Sequence, residues 1–159
     1  MFVPRGASPA LCFALLLFSA TSGAATLQGR IVRIIDGDSL VLLDNQNTQH
    51  EIRLAEIDAP EHKQPFGNRA RQSLADLAFK REATAECPVK DKYGRSVCRV
   101  TVGEVDVNLT QVQRGMAWAY SQYVTDYRFF QAQREARAAK RGLWKEGQQV
   151  PPWDWRHRK

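Results

Sequence analysis

The chain has 159 residues, with 23 Lys and Arg against 17 Asp and Glu, a formal charge of +6 at pH 7 and a sequence pI near 9.5. Such a length suits one domain around a single core and argues against a multidomain assembly. The basic balance favours a polyanionic partner such as nucleic acid or an anionic surface, although a merely soluble basic protein has the same balance.

Residues 1–24 read as a secretory leader. Arg5 supplies the positive n-region, the run from Ala10 to Phe18 the apolar h-region, and Ser22, Gly23 and Ala24 a small-residue cleavage site. The apolar run is shorter than the ~20 residues a spanning helix needs. A secreted or periplasmic protein is therefore expected, an uncleaved N-terminal anchor is the alternative, and no later segment is long and apolar enough to span a bilayer. Cleavage removes one Arg and no acid, taking the charge from +6 to +5 and leaving one mature domain, residues 25–159.

Cys12 leaves with the leader, so the mature chain keeps the pair Cys87 and Cys98. In an oxidising compartment an even pair is expected to form a disulfide. Two cysteines without an adjacent histidine do not make a structural zinc site, which needs four ligands. His50, His62 and His157 are scattered and read as surface residues.

The mature chain begins strand-like. Gly29 to Ile35 is rich in β-branched residues, Leu40 to Leu43 continues after a turn, and a third strand is expected from Glu51 to Ile57. Asp36-Gly37 is a hairpin-turn signal and Asp44 to Asn47 a polar turn. From Phe66 the apolar positions Phe66, Ala70, Leu74, Leu77 and Ala78 mark one face of a first helix. Ala83 to Cys87 and Val97 to Val102 are two further strands around a polar loop. Asn108 stands where a helix N-cap is expected, with Gln111 three residues on and Gly115 closing the helix. A last helix is expected from Thr125 to Arg141, with the stripe Phe129, Ala132, Ala136 and Ala139, and Gly142 ends it. The tail from Val150 to Trp155 is too proline-rich to continue as helix. Five short strands with a helix after the third and two after the fifth make an α+β domain, which we expect to be a five-stranded OB-fold barrel with three helices.

Three clusters carry a family resemblance: Val32 to Ser39 (VRIIDGDS), Ile52 to Glu61 (IRLAEIDAPE) and Asp91 to Arg95 (DKYGR). In this order and spacing they resemble the staphylococcal nuclease (thermonuclease) family, from about Gly29 to Trp144. The resemblance implies a secreted, calcium-dependent phosphodiesterase acting on DNA and RNA and leaving 3′-phosphate and 5′-hydroxyl ends. It assigns Asp38, Asp58 and the main-chain oxygen of Ala59 to Ca2+, a hard cation served by oxygen ligands. Family members usually carry Thr where this chain has Ala59, and Thr where it has Ser39.

Phosphodiester hydrolysis needs charge neutralisation, a positioned water and donors for the transition state. The resemblance gives the donor role to Arg53 and Arg95, whose planar forks match a phosphate, and the water to Glu61. Period-two alternation in the third strand points Arg53 away from the core if Ile52 and Leu54 face it. Lys92 and Tyr93 match positions near a terminal phosphate and sugar, and Tyr120 or Tyr123 is a candidate for stacking on a base of a single strand, the favoured substrate form. The four tryptophans read as packing residues, and the basic stripe Arg128, Arg134, Arg137, Lys140 and Arg141 as a solvated helix face. No obligate partner is evident, and a monomer is expected. A non-catalytic nucleic-acid-binding OB-fold module of the cell envelope remains the alternative, and it would be expected to lack one or more of Asp38, Arg53, Asp58, Glu61 and Arg95, all of which are present.

Overall fold

Alternating apolar side chains bring β1 (Ala25–Ile34), β2 (Ser39–Asp44) and β3 (Gln49–Leu54) together as an antiparallel meander in the computed structural model, which describes residues 25–147 and 149–158. The expected leader, residues 1–24, lies outside these. Ile31, Leu40, Leu42, Ile52 and Leu54 point inward and are buried. Each such side chain contributes about 1.5–3 kcal/mol by leaving water. A bulge between Ile31 and Arg33 bends β1, so its first half pairs with β5 (Glu82–Lys90) while its second half stays with β2. Strand β5 pairs with β6 (Ser96–Val102), and β6 returns parallel to β3 through Ile52 and Ser96, Arg53 and Val97, and Leu54 and Cys98. That last ladder closes a five-stranded mixed barrel of the OB type.

The third strand is shorter than expected at its far end. It stops at Leu54, Glu56 takes a left-handed conformation (φ 66°), and a two-residue strand β4 (Ile57–Asp58) follows. Glu56 is held there because its Oε1 accepts from Thr125 N at 2.7 Å, Thr125 Oγ1 at 2.9 Å and Asp126 N at 2.9 Å. The helix α1 (Gly67–Ala78) lays Ala70, Leu74, Leu77 and Ala78 on the barrel, the face expected.

A short strand β7 (Val105–Asp106) leads into α2 (Val107–Gln113), whose cap differs from expectation. Asp106 is the N-cap, its Oδ1 accepting from Leu109 N at 2.9 Å, and Asn108 sits inside the helix, fully buried. Asn108 spends its amide on tertiary bonds: Oδ1 accepts from Val100 N, and Nδ2 donates to Ala55 O and Cys98 O, each at 3.0 Å. After β8 (Trp118–Ala119), α3 runs from Arg128 to Ala138, shorter at both ends than the expected Thr125 to Arg141. Its start is marked by Asp126, whose Oδ1 accepts from Arg128 N at 3.0 Å, while Glu56 ties the amides of Thr125 and Asp126 to the β3–β4 turn. Its end is set by Lys140 at φ 49°, with Arg141 N donating to Ala136 O at 2.9 Å, a left-handed cap formed before Gly142 is reached. Gly142 instead opens a 3-10 turn (Gly142–Lys145), where a Cβ would lie 2.3 Å from Gly115 O.

The tail also corrects the sequence reading. Residues Pro152–Trp155 form a one-turn helix α4 with Pro152 at its first position, where the missing N–H costs no helical bond. Trp118 is buried with Trp144 edge-on at 5.2 Å and Trp153 edge-on at 6.5 Å, so these tryptophans pack together. Cys87 and Cys98 are bonded across β5 and β6, Cα atoms 4.2 Å apart, and Cys98 also pairs with Leu54 of β3.

Candidate active site

The turn Asp36-Gly37-Asp38 joins β1 to β2, closed by Ile35 N donating to Ser39 O at 2.9 Å. Its backbone is pressed against the molecule, since a Cβ on Gly37 would lie 2.6 Å from Ala70 Cβ and 2.7 Å from Ala59 Cβ. Gln111 fixes the turn from behind. Its buried Nε2 donates to Gly37 O at 2.7 Å and to Ala70 O at 3.0 Å, while Oε1 accepts from Ser73 Oγ at 2.6 Å. Gln111 is thus a tertiary clamp and not the reciprocal partner of an Asn108 cap.

Asp38 is buried and faces the segment after β4: its Oδ2 accepts from Ala59 N at 2.6 Å, and its Oδ1 from Ser39 Oγ at 3.1 Å. Arg53 on β3 points away from Ile52 and Leu54 and lies between two carboxylates. Nη1 pairs with Asp38 Oδ2 at 2.9 Å, Nη2 with Asp58 Oδ1 at 3.0 Å, and Nη1 also donates to Leu54 O at 3.2 Å. Burial pulls the Arg53 guanidinium toward losing its proton, but Asp38 and Asp58 more than offset this and hold the proton above its ordinary value. Burial pushes the Asp58 carboxyl above the usual carboxylate range; Arg156 pulls it down, Asp38 adds to the rise, and Arg53 opposes it. Asp36, whose Oδ1 accepts from Asp38 N at 3.0 Å, is pushed up to about 7 by burial and by the Asp38 charge.

Glu61 follows Pro60 at the rim and is 38% exposed, enough to meet solvent. Its Oε1 pairs with Arg156 Nη1 at 2.7 Å, and the same guanidinium reaches Asp58 through Nη2 to Oδ2 at 2.8 Å and Nη1 to Oδ1 at 3.2 Å. Arg53 and Arg156 therefore join Asp38, Asp58 and Glu61 into one chain of charges.

The remaining candidates lie apart from that chain among the described contacts. Arg95 closes the β5–β6 hairpin, its Nε bonded to Asp91 Oδ2 at 2.8 Å and its guanidinium 5.6 Å from the Tyr93 ring. It precedes Ser96, the ladder partner of Ile52, so the hairpin tip adjoins the edge of β3. Tyr93 is 73% exposed, and Lys92 Nζ lies over its ring, 5.1 Å from the centroid. Tyr120 is stacked on Trp153, the rings 5.2 Å apart and 3° from parallel, and Tyr123 stands edge-on to it at 4.9 Å, so one face is already covered. The basic stripe of α3 is partly tied down: Arg128 pairs with Asp126 at 2.6 Å, Arg134 donates to Tyr127 Oη at 2.9 Å, and Arg137 covers Trp144 at 4.3 Å.

Among the described residues no three acidic, histidine or cysteine side chains converge tightly enough to be a metal cluster by themselves. The donor chemistry nevertheless fits a hard cation. Four carboxylates, Asp36, Asp38, Asp58 and Glu61, share the site with two guanidiniums, and burial has raised two of the four. Such an excess of carboxylate over guanidinium charge, with Asp38 and Asp58 buried, is relieved by a cation with oxygen preference.

Three contributors were not singled out from sequence. Asp36 was legible only as a turn residue, although it belongs to the Asp-Gly-Asp cluster. Gln111 reads in the sequence as the capping partner of Asn108, which does not foreshadow its contacts to Gly37 and Ser73. Arg156 lies 98 residues from Asp58, and no local pattern could connect them.

A family model described as "Staphylococcal nuclease homologue" matches residues 51–146. The chain is 40% identical over 146 residues to an "Uncharacterized endonuclease" of Escherichia coli O157:H7, spanning 91% of this chain and 95% of that protein. It is 40% identical over 158 residues to a "Micrococcal nuclease" of Shigella flexneri, spanning 92% and 90%. An "Uncharacterized endonuclease" of Haemophilus influenzae is 39% identical over 144 residues, spanning 89% and 81%.

Proposed function

Since this chain belongs to the staphylococcal nuclease family, we propose that it is an exported, monomeric, calcium-dependent phosphodiesterase that cuts DNA and RNA and leaves 3′-phosphate and 5′-hydroxyl ends. The observation that carries the reading is Arg53 held between the buried carboxylates Asp38 and Asp58. A guanidinium has five N–H donors. Three of Arg53's contacts engage Asp38, Asp58 and Leu54 O, and among the described residues none takes Nε. Those contacts orient the guanidinium in advance, so on a bound phosphate its remaining donors would stabilise charge without reorganising, the condition under which such donors contribute most.

Asp38, Asp58 and the Ala59 carbonyl would hold Ca2+, which supplies neutralisation of the phosphate charge when bound. Ser39, donating to Asp38 Oδ1, fixes that carboxylate's rotation. Glu61, at the solvent edge beside Asp58, orients or deprotonates the attacking water. Arg95 adds donors from the hairpin tip, Lys92 and Tyr93 hold the neighbouring phosphate and sugar, and Tyr120 offers its uncovered side to a base. Single strands are favoured because these groups need an accessible backbone and unstacked bases. Export is supported by the leader-like residues 1–24 and by the Cys87–Cys98 bond, which persists in an oxidising compartment.

The test is single-stranded DNA offered to the mature protein in calcium, in excess chelator, and as Asp38→Ala in calcium, with the product ends identified. Cleavage in calcium alone, leaving 3′-phosphate, is expected. Undiminished cleavage in chelator, or 5′-phosphate ends throughout, would overturn the reading.

A further inference from the structure

The tail beyond the family match returns to the site. Gln64 Nε2 donates to Val150 O at 2.6 Å, Pro152 is buried, and Trp153 lies flat on Tyr120. Trp153 also meets the edge of Trp118, the ladder partner of Asp58, so the tail docks on the strand pair that carries this carboxylate. One turn later Arg156 occupies both oxygens of Asp58 and Oε1 of Glu61. Arg53 is locked between strands at 15% side-chain exposure, whereas Arg156 is 40% exposed and hangs from a one-turn helix. Arg156 can leave without unpacking the barrel.

We propose that residues 150–156 form a strap bearing a tethered cation, and that Arg156 and the divalent ion compete for Asp58 and Glu61, so that ion uptake lifts the strap. The proposal rests on the calcium reading above. A divalent ion needs the Asp58 oxygens that Arg156 covers, and of the two guanidiniums beside that carboxylate only the exposed Arg156 is placed to withdraw. Coupling of this kind is reciprocal: whatever the strap takes from ion affinity, the ion takes from strap docking. Energetic coupling between two such sites typically amounts to about 5–150-fold in affinity.

Arg156→Gln removes the charge and shortens the side chain by two atoms while keeping a polar, hydrogen-bonding end. Calcium is titrated calorimetrically into the mature wild-type chain and into R156Q, with thermal melts confirming that both are folded. In parallel, hydrogen exchange of the Asp154, Trp155 and Arg156 amides is followed in the wild type with and without calcium. R156Q is expected to bind calcium at least about fivefold more tightly, and those amides are expected to exchange faster in calcium. Equal or weaker affinity in R156Q, or slower exchange in calcium, overturns the strap while leaving the calcium reading intact. Absence of calcium binding by both chains overturns the calcium reading and the strap with it.

Discussion

Asn108 ties three parts of the molecule together, and its removal has a calculable cost. Its side chain serves Val100 N on β6, Ala55 O in the turn before Asp58, and Cys98 O. Cys98 O also accepts from Ala55 N at 2.8 Å and so keeps a partner when Asn108 is lost. Asn108→Ala therefore strands two backbone groups, Val100 N, which is buried, and Ala55 O, which is half-buried. At about 1–3 kcal/mol for each unsatisfied group, the loss is roughly 2–6 kcal/mol, toward the lower end if a water enters the space. For a domain of this size roughly 3–4 °C of melting temperature accompanies each kcal/mol. Asn108→Asp is the sharper variant. It can still accept from Val100 N, but it turns a carboxylate oxygen toward two carbonyls and buries a charge, so at neutral pH it should be destabilised more than Asn108→Ala. Urea denaturation of the three proteins gives both differences. An Asn108→Ala loss below about 1 kcal/mol, or an Asn108→Asp protein as stable as wild type, would refute the assignment.

Replacing Cys87 and Cys98 together by Ala opens an 11-residue separation and should cost up to about 3 kcal/mol by denaturant melts, with chelator-sensitive cleavage retained in the folded fraction. Two free thiols in the exported protein would contradict the staple. Arg128 hydrogen bonds, foremost, hold the Asp126 carboxyl below the usual carboxylate range. A depressed pKa contributes stability that is present above the unfolded carboxylate value near 4 and lost as pH falls through the folded value. Asp126→Asn should therefore lower the melting temperature at pH 7, and the gap should narrow below pH 4; a gap independent of pH would contradict the ion pair. Arg95→Ala should lower turnover by at least ~10²-fold with its melting temperature near wild type; a change confined to KM would make Arg95 a substrate-holding residue.

The parts of the fold that sequence displays are those governed by neighbours along the chain. Ile52, Arg53 and Leu54 show it: strict alternation is enough to bury the flanking pair and turn the arginine to the other side. The α1 stripe from Ala70 to Ala78 is legible for the same reason at helical period. Asn108 was misread because a polar residue before an apolar run looks like a cap, whereas here distant carbonyls outcompete the local amides for it. Glu56 gave no sign that it ends β3, since its left-handed backbone is stabilised by Thr125 and Asp126, some 70 residues away. Asp38, Arg53, Asp58 and Glu61 are legible through their motifs, and the fold brings them into one chain of ion pairs. The charge that links two of them, Arg156, arrives on a tail whose docking depends on Tyr120 and Trp118.

Steady-state cleavage of a labelled oligonucleotide in saturating calcium by wild type and Arg53→Lys tests the central claim most directly. Lysine keeps the positive charge between Asp38 and Asp58 but loses the planar fork, so the buried carboxylates stay paired while the transition-state donors are removed. We expect kcat to fall by at least ~10²-fold with KM changed little. Turnover within about threefold of wild type, or a defect confined to KM, would contradict the assignment of Arg53 to the reacting phosphate.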